Sequence, residues 1–227
     1  MNPYKVVQDF EEAVAAYAGC RYAIAVDSCT NAIFLCAKYL KVGDVILPSK
    51  TYPSVPCSII HAGGTVSFQE FEWREDGFYR IVPYPIYDAA HLFKKDMYKM
   101  VHQPLCGGDK ESYPHAFVCV SFSATKPINI GKGGMVLTDD EKAMKWFKQA
   151  RYCGRHERPL MDDEFDMIGW NMYMTPEQAA RGLLLMNDRG GIQSKRMPIP
   201  KYPDLSKFKI YQTNPNTAAS DQCSPIL

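Results

Sequence analysis

Long apolar runs and an excess of charge of one sign are both missing from this chain of 227 residues. No apolar run reaches the roughly 20 residues that span a bilayer, and the N-terminus holds no apolar signal core. The formal net charge is +1, which gives no electrostatic attraction to nucleic acid or to an anionic membrane. We therefore expect no membrane or nucleic-acid partner, and we expect the cytoplasm as the location.

Close pairs of metal-binding residues are missing too. The eight cysteines include no Cys-x-x-Cys pair, and the five histidines are scattered. Structural zinc sites draw their ligands from tighter Cys and His clusters. Most cysteines lie inside apolar segments, where reduced thiols pack as small hydrophobic side chains. The sequence predicts no metal site.

What the chain does have is an alternation of short apolar strands and amphipathic helices. Strands are predicted over 22–26, 44–47, 65–68, 117–122 and 135–138, and helices over 6–17, 32–40, 55–61, 141–152 and 175–187. This order is typical of an α/β layered fold. From Arg189 onward Gly, Pro, Lys, Ser and Asn dominate. We therefore expect a compact domain over 1–188 and a tail over 189–227.

Two chemically suggestive residues follow apolar runs. Lys126 ends Ser121-Phe-Ser-Ala-Thr-Lys126, and Asp88 begins Asp88-Ala-Ala-His91. A lysine amine attacks an aldehyde once burial or a nearby cation lowers its pKa from about 10.4. Taken alone, Lys126 also fits a solvated turn lysine, and Asp88 a strand-end cap.

The motifs taken together carry more weight than any one of them. In order along the chain they are Phe10-Glu-Glu, Tyr22-Ala-Ile-Ala-Val-Asp-Ser-Cys-Thr30, Thr51-Tyr52, Asp88-Ala-Ala-His91, Ser121-Phe-Ser-Ala-Thr-Lys126, Gly131-Lys-Gly-Gly134 and Gly169-Trp-Asn171 with its continuation to Ala180. Over roughly 8–187 this series resembles the DegT/DnrJ/EryC1/StrS family, which comprises pyridoxal-phosphate-dependent sugar aminotransferases. The resemblance implies a three-layer α/β fold with a mixed, mostly parallel sheet. This is the large domain of the aspartate aminotransferase (type I) fold, with the small domain largely absent.

The resemblance also implies a role for each site residue. Lys126 would form the Schiff base with pyridoxal 5'-phosphate, Asp88 would pair with the pyridine nitrogen, and His91 would lie near the ring. Four residues would bind the phosphate: Ser28, Thr30, Asn31 and Ser121. Tyr52 would stack on the ring, and Asn171 would reach the partner's phosphate in a homodimer. Plain structural roles remain open for each: a helix cap at Ser28, core packing at Tyr52 and His91, and a loop position at Asn171.

The chain also departs from the family pattern. Too few residues lie between Gly64 and Asp88 for the elements the family carries there, and the small domain is reduced to the tail. Lys132 replaces the usual Glu, and Tyr173 stands where Arg is common. The implied activity is transfer of an amino group, from glutamate, to a keto sugar that is nucleotide-linked. The alternatives are a cofactor-binding pseudoenzyme or partner subunit, and a structural remnant without cofactor.

Overall fold

The computed structural model describes residues 4–71, 73, 77–101, 115–187 and 201–211. The strands are β1 (Tyr22–Val26), β2 (Asp44–Pro48), β3 (Thr65–Gln69), β4 (Tyr79–Ile81), β5 (Ile86–Asp88), β6 (Phe117–Ser121) and β7 (Gly134–Thr138). The helices are α1 (Lys5–Ala18), α2 (Cys29–Leu40), α3 (Ser54–Ala62), α4 (Met97–Val101), α5 (Glu141–Ala150) and α6 (Pro176–Asn187). Among these described residues, no helix is both long enough and apolar enough to cross a bilayer.

The strands form a mixed sheet, which confirms the predicted α/β class. Five strands pair in the order β1-β7-β6-β5-β4, β2 pairs with β3 beside them, and an antiparallel bridge joins Ile46 to Val82. The expected excess of parallel pairing is absent from the described strands, because only β2–β3 and β5–β6 are parallel. For one of the three antiparallel pairs, β4–β5, the physical reason lies in the connection 82–85. Four residues can close an antiparallel hairpin between β4 and β5, whereas a parallel connection needs a dozen or more.

Helices cover both faces of the sheet, as the predicted three-layer arrangement requires. Side chains alternate along β1, so that Ile24 and Val26 join one core and Ala23 and Ala25 the other. The first core includes residues of α2, α3 and α5, and the second includes residues of α1, α4 and α6. Because the strands are buried on both faces of the sheet, their sequences are short continuous apolar runs.

Three helices begin at side-chain caps that the sequence indicates. The Ser28 hydroxyl accepts from the Asn31 N–H at the start of α2, and the Asp140 carboxylate accepts from the Ala143 N–H at the start of α5. At α6 the Thr175 N–H donates to the Gln178 side chain while the Gln178 N–H donates to the Thr175 hydroxyl. This reciprocal pair is a capping box.

Part of the predicted tail packs against the domain. In the described segment 201–211, Leu205 is buried and its N–H donates to the Ser49 carbonyl at 2.8 Å. Asp204 caps the short turn Leu205–Lys207 by accepting from the Ser206 N–H. Residues 188–200 and 212–227 lie outside the described part, so the boundary at residue 188 stays a prediction.

Candidate functional site

A cavity of about 440 Å³ opens at the sheet edge where β1, β5 and β6 end and β7 begins. Seven of the nine predicted site residues line it: Ser28, Thr30, Tyr52, Asp88, His91, Ser121 and Lys126. These residues come from four separate parts of the chain, and the sheet brings them together because its strand ends meet at one edge. The size suits a small organic ligand.

Asp88 is a buried carboxylate held by two donors. Its Oδ2 accepts from the Tyr79 hydroxyl at 2.9 Å, and its Oδ1 accepts from the Ala90 N–H at 3.0 Å. Tyr79 and the buried Thr51 also share a hydrogen bond of 2.6 Å. Burial raises the pKa of Asp88, while the two hydrogen bonds and the charge of Lys126 act in the opposite direction. The two hydrogen bonds therefore fix the carboxylate in place at the cavity. Together with the charge of Lys126, they do not fully offset the cost of burying its negative charge.

Lys126 reaches the cavity from the loop between β6 and β7. The Lys126 N–H donates to the Ser123 carbonyl and the Ile130 N–H donates to the Phe122 carbonyl, both at 3.0 Å, so the loop is closed on itself. The side chain is half-buried, and burial lowers the pKa of its amine, against the pull of Asp88 and Cys29. A lysine with a lowered pKa is better able to act as a nucleophile near neutral pH.

His91 connects Lys126 to the C-terminal segment. Its Nε2 lies 3.0 Å from Lys126 Nζ and 2.9 Å from the Tyr202 hydroxyl. Burial, with the nearby charge of Lys126, lowers the pKa of His91 to about 4. Burial, followed by the charges of Asp88 and Tyr52, raises the pKa of Tyr202 to about 12. Both side chains are therefore neutral around pH 7.

The N-terminus of α2 forms one end of the cavity. Ser28 and Thr30 line it, and the Thr30 hydroxyl shares a 2.8 Å hydrogen bond with Ser54. Free N–H groups and the helix dipole favour an anion at such a helix start. Asn31 is not among the lining residues, because its side-chain amide donates to the Asp27 carboxylate at 2.6 Å. Its predicted phosphate contact therefore stays a prediction.

Gly134 lets β7 approach this helix start closely. A Cβ atom there would lie 2.4 Å from the Cys29 nitrogen and 2.5 Å from the Ser28 carbonyl carbon. Both contacts are with backbone, which cannot move aside as a flexible side chain would. Nearby, Lys132 lines the cavity and its Nζ lies 3.2 Å from Asp27 Oδ2. This end of the cavity therefore combines backbone N–H groups, hydroxyls and a lysine, and we call it the cradle.

Three aromatic side chains border the cavity mouth. The Trp73 and Tyr202 rings stack at 5.9 Å with an interplanar angle of 25°. Tyr52 meets Tyr202 edge-on at 6.1 Å and remains 56% exposed. No sequence pattern indicates a role for Trp73, Tyr79 or Tyr202. The pairing of β4 with β5 places Tyr79 beside Asp88, and the return of the C-terminal segment places Tyr202 beside His91. The Trp73 ring contacts both tyrosine rings.

Asn171 lies outside the cavity. It is exposed, and its backbone bridges to Tyr152. Exposed apolar side chains accompany it on the surface formed by 160–173, which we call the 160–173 surface: Leu160, Met161, Phe165, Ile168 and Tyr173. Within one protomer, Asn171 does not reach the residues that gather around Lys126.

Lys126 in the loop after β6, the buried Asp88 and the start of α2 surround one cavity on a three-layer mixed sheet, the arrangement of the type I fold of pyridoxal-phosphate enzymes. Solved structures share this fold. DesV of S. venezuelae, in complex with a ketimine intermediate, matches 79% of this chain and 55% of its own chain at 19% identity, with a TM-score of 0.57. NtdA of Bacillus subtilis, with bound PMP cofactor, matches 80% of this chain and 47% of its own at 21% identity, with a TM-score of 0.59.

The chain belongs to the DegT/DnrJ/EryC1/StrS aminotransferase family, whose model matches residues 1–75 and 108–202. The predicted family is thus confirmed. Pyridoxal phosphate is the cofactor of this family, and structural relatives are known with its forms bound. The matched ranges leave out 76–107, which carries β4, β5, Asp88 and His91. The assignment of these two residues therefore rests on the geometry of the cavity.

Two curated relatives from Bacillus subtilis are similar to this chain. The spore coat polysaccharide biosynthesis protein SpsC of Bacillus subtilis is 27% identical over 85% of this chain and 59% of its own length. The 3-oxo-glucose-6-phosphate:glutamate aminotransferase of the same organism is 30% identical over 92% of this chain and 49% of its own length. The chain spans about half to three fifths of the length of these relatives.

Proposed function

We propose that this protein binds pyridoxal phosphate through Lys126 and transfers an amino group from glutamate to a keto sugar that is nucleotide-linked. One observation supports this most directly. The half-buried amine of Lys126, the buried carboxylate of Asp88 and the N-terminus of α2 line the same cavity of about 440 Å³. These three groups fit the cofactor. Lys126 offers a nucleophile for its aldehyde, Asp88 offers an anion for its ring N–H, and the helix start offers N–H groups for its phosphate.

Asp88 would hold the pyridine nitrogen. The Tyr79 hydroxyl and the Ala90 N–H fix its two oxygens, so the carboxylate needs no reorientation to accept a further donor. Burial raises its pKa, and a cationic partner in the cavity would offset that by stabilising the charged form. When bound, the cofactor supplies an electron-withdrawing ring that stabilises negative charge at the donor's α-carbon.

The helix start would hold the phosphate. Ser28 and Thr30 line that end, Ser121 is buried at the end of β6, and Lys132 adds a positive charge. Phosphate oxygens accept readily from hydroxyl and N–H donors of this kind. The groups that would hold the ring and those that would hold the phosphate line the same cavity as Lys126.

Lys126 would carry the proton. Its Nζ would move a proton from the donor's α-carbon to the cofactor, a task that suits an amine whose pKa burial has lowered. His91 is neutral around pH 7, because its pKa is about 4. It would therefore contact Lys126 without adding a competing positive charge.

The substrate class is supported by the relatives' names. They include a UDP-4-amino-4,6-dideoxy-N-acetyl-beta-L-altrosamine transaminase of Campylobacter jejuni and a GDP-perosamine synthase of Caulobacter vibrioides. Glutamate as donor is supported by the name of the aminotransferase that is 30% identical. We also propose a homodimer, in which Asn171 would approach the partner's phosphate site. Its exposed position outside the cavity of its own protomer supports this arrangement.

A second candidate function is a cofactor-binding partner subunit that does not turn over. The family model leaves out 76–107, so Asp88 and His91 lie outside the part of the chain that it matches. A subunit of this kind would bind the cofactor without converting it.

Single-turnover experiments separate the two candidates. The protein is loaded with pyridoxal phosphate, mixed with glutamate and followed by absorbance. It is then mixed with a panel of keto nucleotide sugars, and the products are analysed by mass spectrometry. Formation of an amino sugar with any panel member supports the aminotransferase. Cofactor binding without conversion by glutamate supports the partner subunit.

A further inference from the structure

Two potential donors converge on one nitrogen of His91. The Tyr202 hydroxyl oxygen lies 2.9 Å from Nε2, and Lys126 Nζ lies 3.0 Å from it. The positive charge of a protonated Lys126 lies nearer to Nε2 than to Nδ1, at 3.0 Å against 3.5 Å, which favours a lone pair rather than a proton on Nε2. With the imidazole proton on Nδ1, the Tyr202 hydroxyl is the donor in its bond to Nε2.

The two donors do not approach the ring alike. Lys126 Nζ is also 3.5 Å from Nδ1, so it lies at similar distances from both ring nitrogens. A donor on the lone-pair axis of Nε2 would be much farther from Nδ1, so the amine lies off that axis. The Tyr202 hydroxyl, 2.9 Å from Nε2, is then the donor that can use this lone pair. A well-aligned bond from Lys126 to Nε2 would stabilise the charged amine and raise its pKa.

The Tyr202 ring is held in this position by its own segment and by Trp73. Leu205 is buried, and its N–H bonds to the Ser49 carbonyl at 2.8 Å. Trp73 stacks on Tyr202 at 5.9 Å. The pKa of Tyr202 is raised to about 12, so the hydroxyl keeps its proton near pH 7.

The remaining groups that influence Lys126 come from other elements. Asp88 at the end of β5 and Cys29 at the start of α2 both act to raise the pKa of the amine, against burial. Asp88 is held by Tyr79 rather than by Tyr202. Removal of the Tyr202 hydroxyl alone therefore leaves both of these influences in place.

We propose that Tyr202 is a positioning residue, whose hydroxyl occupies the lone pair of His91 Nε2 and so keeps the Lys126 amine available for reaction. The role rests on the proposed function of Lys126. This role makes Tyr202, a residue of the C-terminal segment, part of the proposed active site. Tyr202 lies 76 residues after Lys126 and influences it through His91.

The test compares Tyr202→Phe with Tyr52→Phe, both without added cofactor. Tyr202→Phe keeps the stacked ring and removes only the hydroxyl, and Tyr52 is a second tyrosine of the same cavity. The pKa of Lys126 is obtained from the pH dependence of its acetylation by acetic anhydride, read on its own peptide by mass spectrometry. We expect an upward shift of about one unit in Tyr202→Phe and none in Tyr52→Phe. Adding His91→Phe to Tyr202→Phe removes the acceptor and should abolish the shift.

A second measurement reports the protonation of His91 Nε2 directly. In protein labelled with ¹⁵N-histidine, the His91 Nε2 resonance should be that of an unprotonated nitrogen near pH 7. A protonated Nε2, or an unchanged pKa of Lys126 in Tyr202→Phe, would overturn the proposal. Because neither reading uses the cofactor, a failure to bind pyridoxal phosphate would count against the proposed function and not against this hydrogen bond.

Discussion

Tyr79 donates a 2.9 Å hydrogen bond to Asp88 across the β4–β5 hairpin, where the two residues stand directly opposite in register. Both are buried, and Thr51 holds the Tyr79 hydroxyl from its other side at 2.6 Å. The short hairpin thus provides the carboxylate and also the group that fixes it. This pairing gives Asp88 a defined position in a part of the chain that the family model does not match.

Asp88→Asn should leave binding of pyridoxal phosphate largely intact and slow its conversion by glutamate by on the order of 100-fold. An amide cannot provide the negative charge that stabilises a protonated ring nitrogen. Absorbance after mixing with glutamate measures the rate, and dialysis against free cofactor measures retention. Equal conversion rates in the two proteins would remove Asp88 from the role of ring partner.

His91 should make the protein sensitive to acid. Its folded pKa of about 4 lies below the reference value of 6.5, so the unfolded chain takes up the proton first. Stability is therefore fully present above pH 6.5 and is lost as pH falls toward 4. Between pH 7 and pH 5 we expect a loss on the order of 1 kcal/mol, reduced from the value for a sealed site because the cavity is open to solvent.

Urea unfolding at the two pH values measures this loss. The His91→Gln variant should lose less stability than the wild type on acidification. His61→Gln, which replaces an exposed histidine of α3, should behave as the wild type does. An identical pH dependence in all three proteins would show that His91 is not the group responsible.

Gly134→Ala should destabilise the protein by about 1–3 kcal/mol and weaken cofactor binding, because the new methyl group meets the backbone of Ser28 and Cys29. Displacement of that backbone would move the N-terminus of α2. Gly43→Ala is the matched control, since its Cβ would meet nothing closer than the Tyr84 hydroxyl at 3.7 Å. Denaturation and cofactor titration measure the two effects, and equal behaviour of the two variants would count against a rigid cradle.

The helix caps and the grouping of the site residues can both be predicted from the sequence, but for different reasons. The caps at Ser28, Asp140 and Thr175 are local, because each side chain bonds within three residues of itself. The grouping of Lys126, Asp88 and Ser28 is what the family resemblance implies, and it depends on the pairing of β1, β5, β6 and β7. Only the caps can be inferred without knowledge of distant contacts.

Other features depend on long-range contacts that no local pattern indicates. The proline-containing run 81–87 shows no alternation that reveals a hairpin, so the pairing of Tyr79 with Asp88 could not be predicted. Tyr202 lies in a stretch whose composition is typical of a tail, yet it bonds to His91, 111 residues away. Composition describes how a segment would behave alone, whereas Leu205 and Tyr202 take their positions from the surface they meet.

The 160–173 surface should mediate self-association. Ile168 is 95% exposed and Met161 is 92% exposed, and several exposed apolar side chains in one segment indicate an interaction site. Ile168→Asp should therefore yield a monomer in sedimentation experiments in which the wild type is a dimer. Leu184→Asp places the same charge on an exposed residue of α6 and should leave the dimer intact. A monomeric wild type at micromolar concentration would contradict the proposed homodimer.

The most direct test of the role of Lys126 is the visible absorption of the protein after addition of pyridoxal phosphate. We expect a visible absorption band that borohydride bleaches in the wild type and that is absent in Lys126→Ala. Lys132→Ala, which removes the other lysine lining the cavity, should retain the band with weaker cofactor affinity. A band of equal intensity in Lys126→Ala, or no band in the wild type, would contradict the claim that Lys126 holds the cofactor.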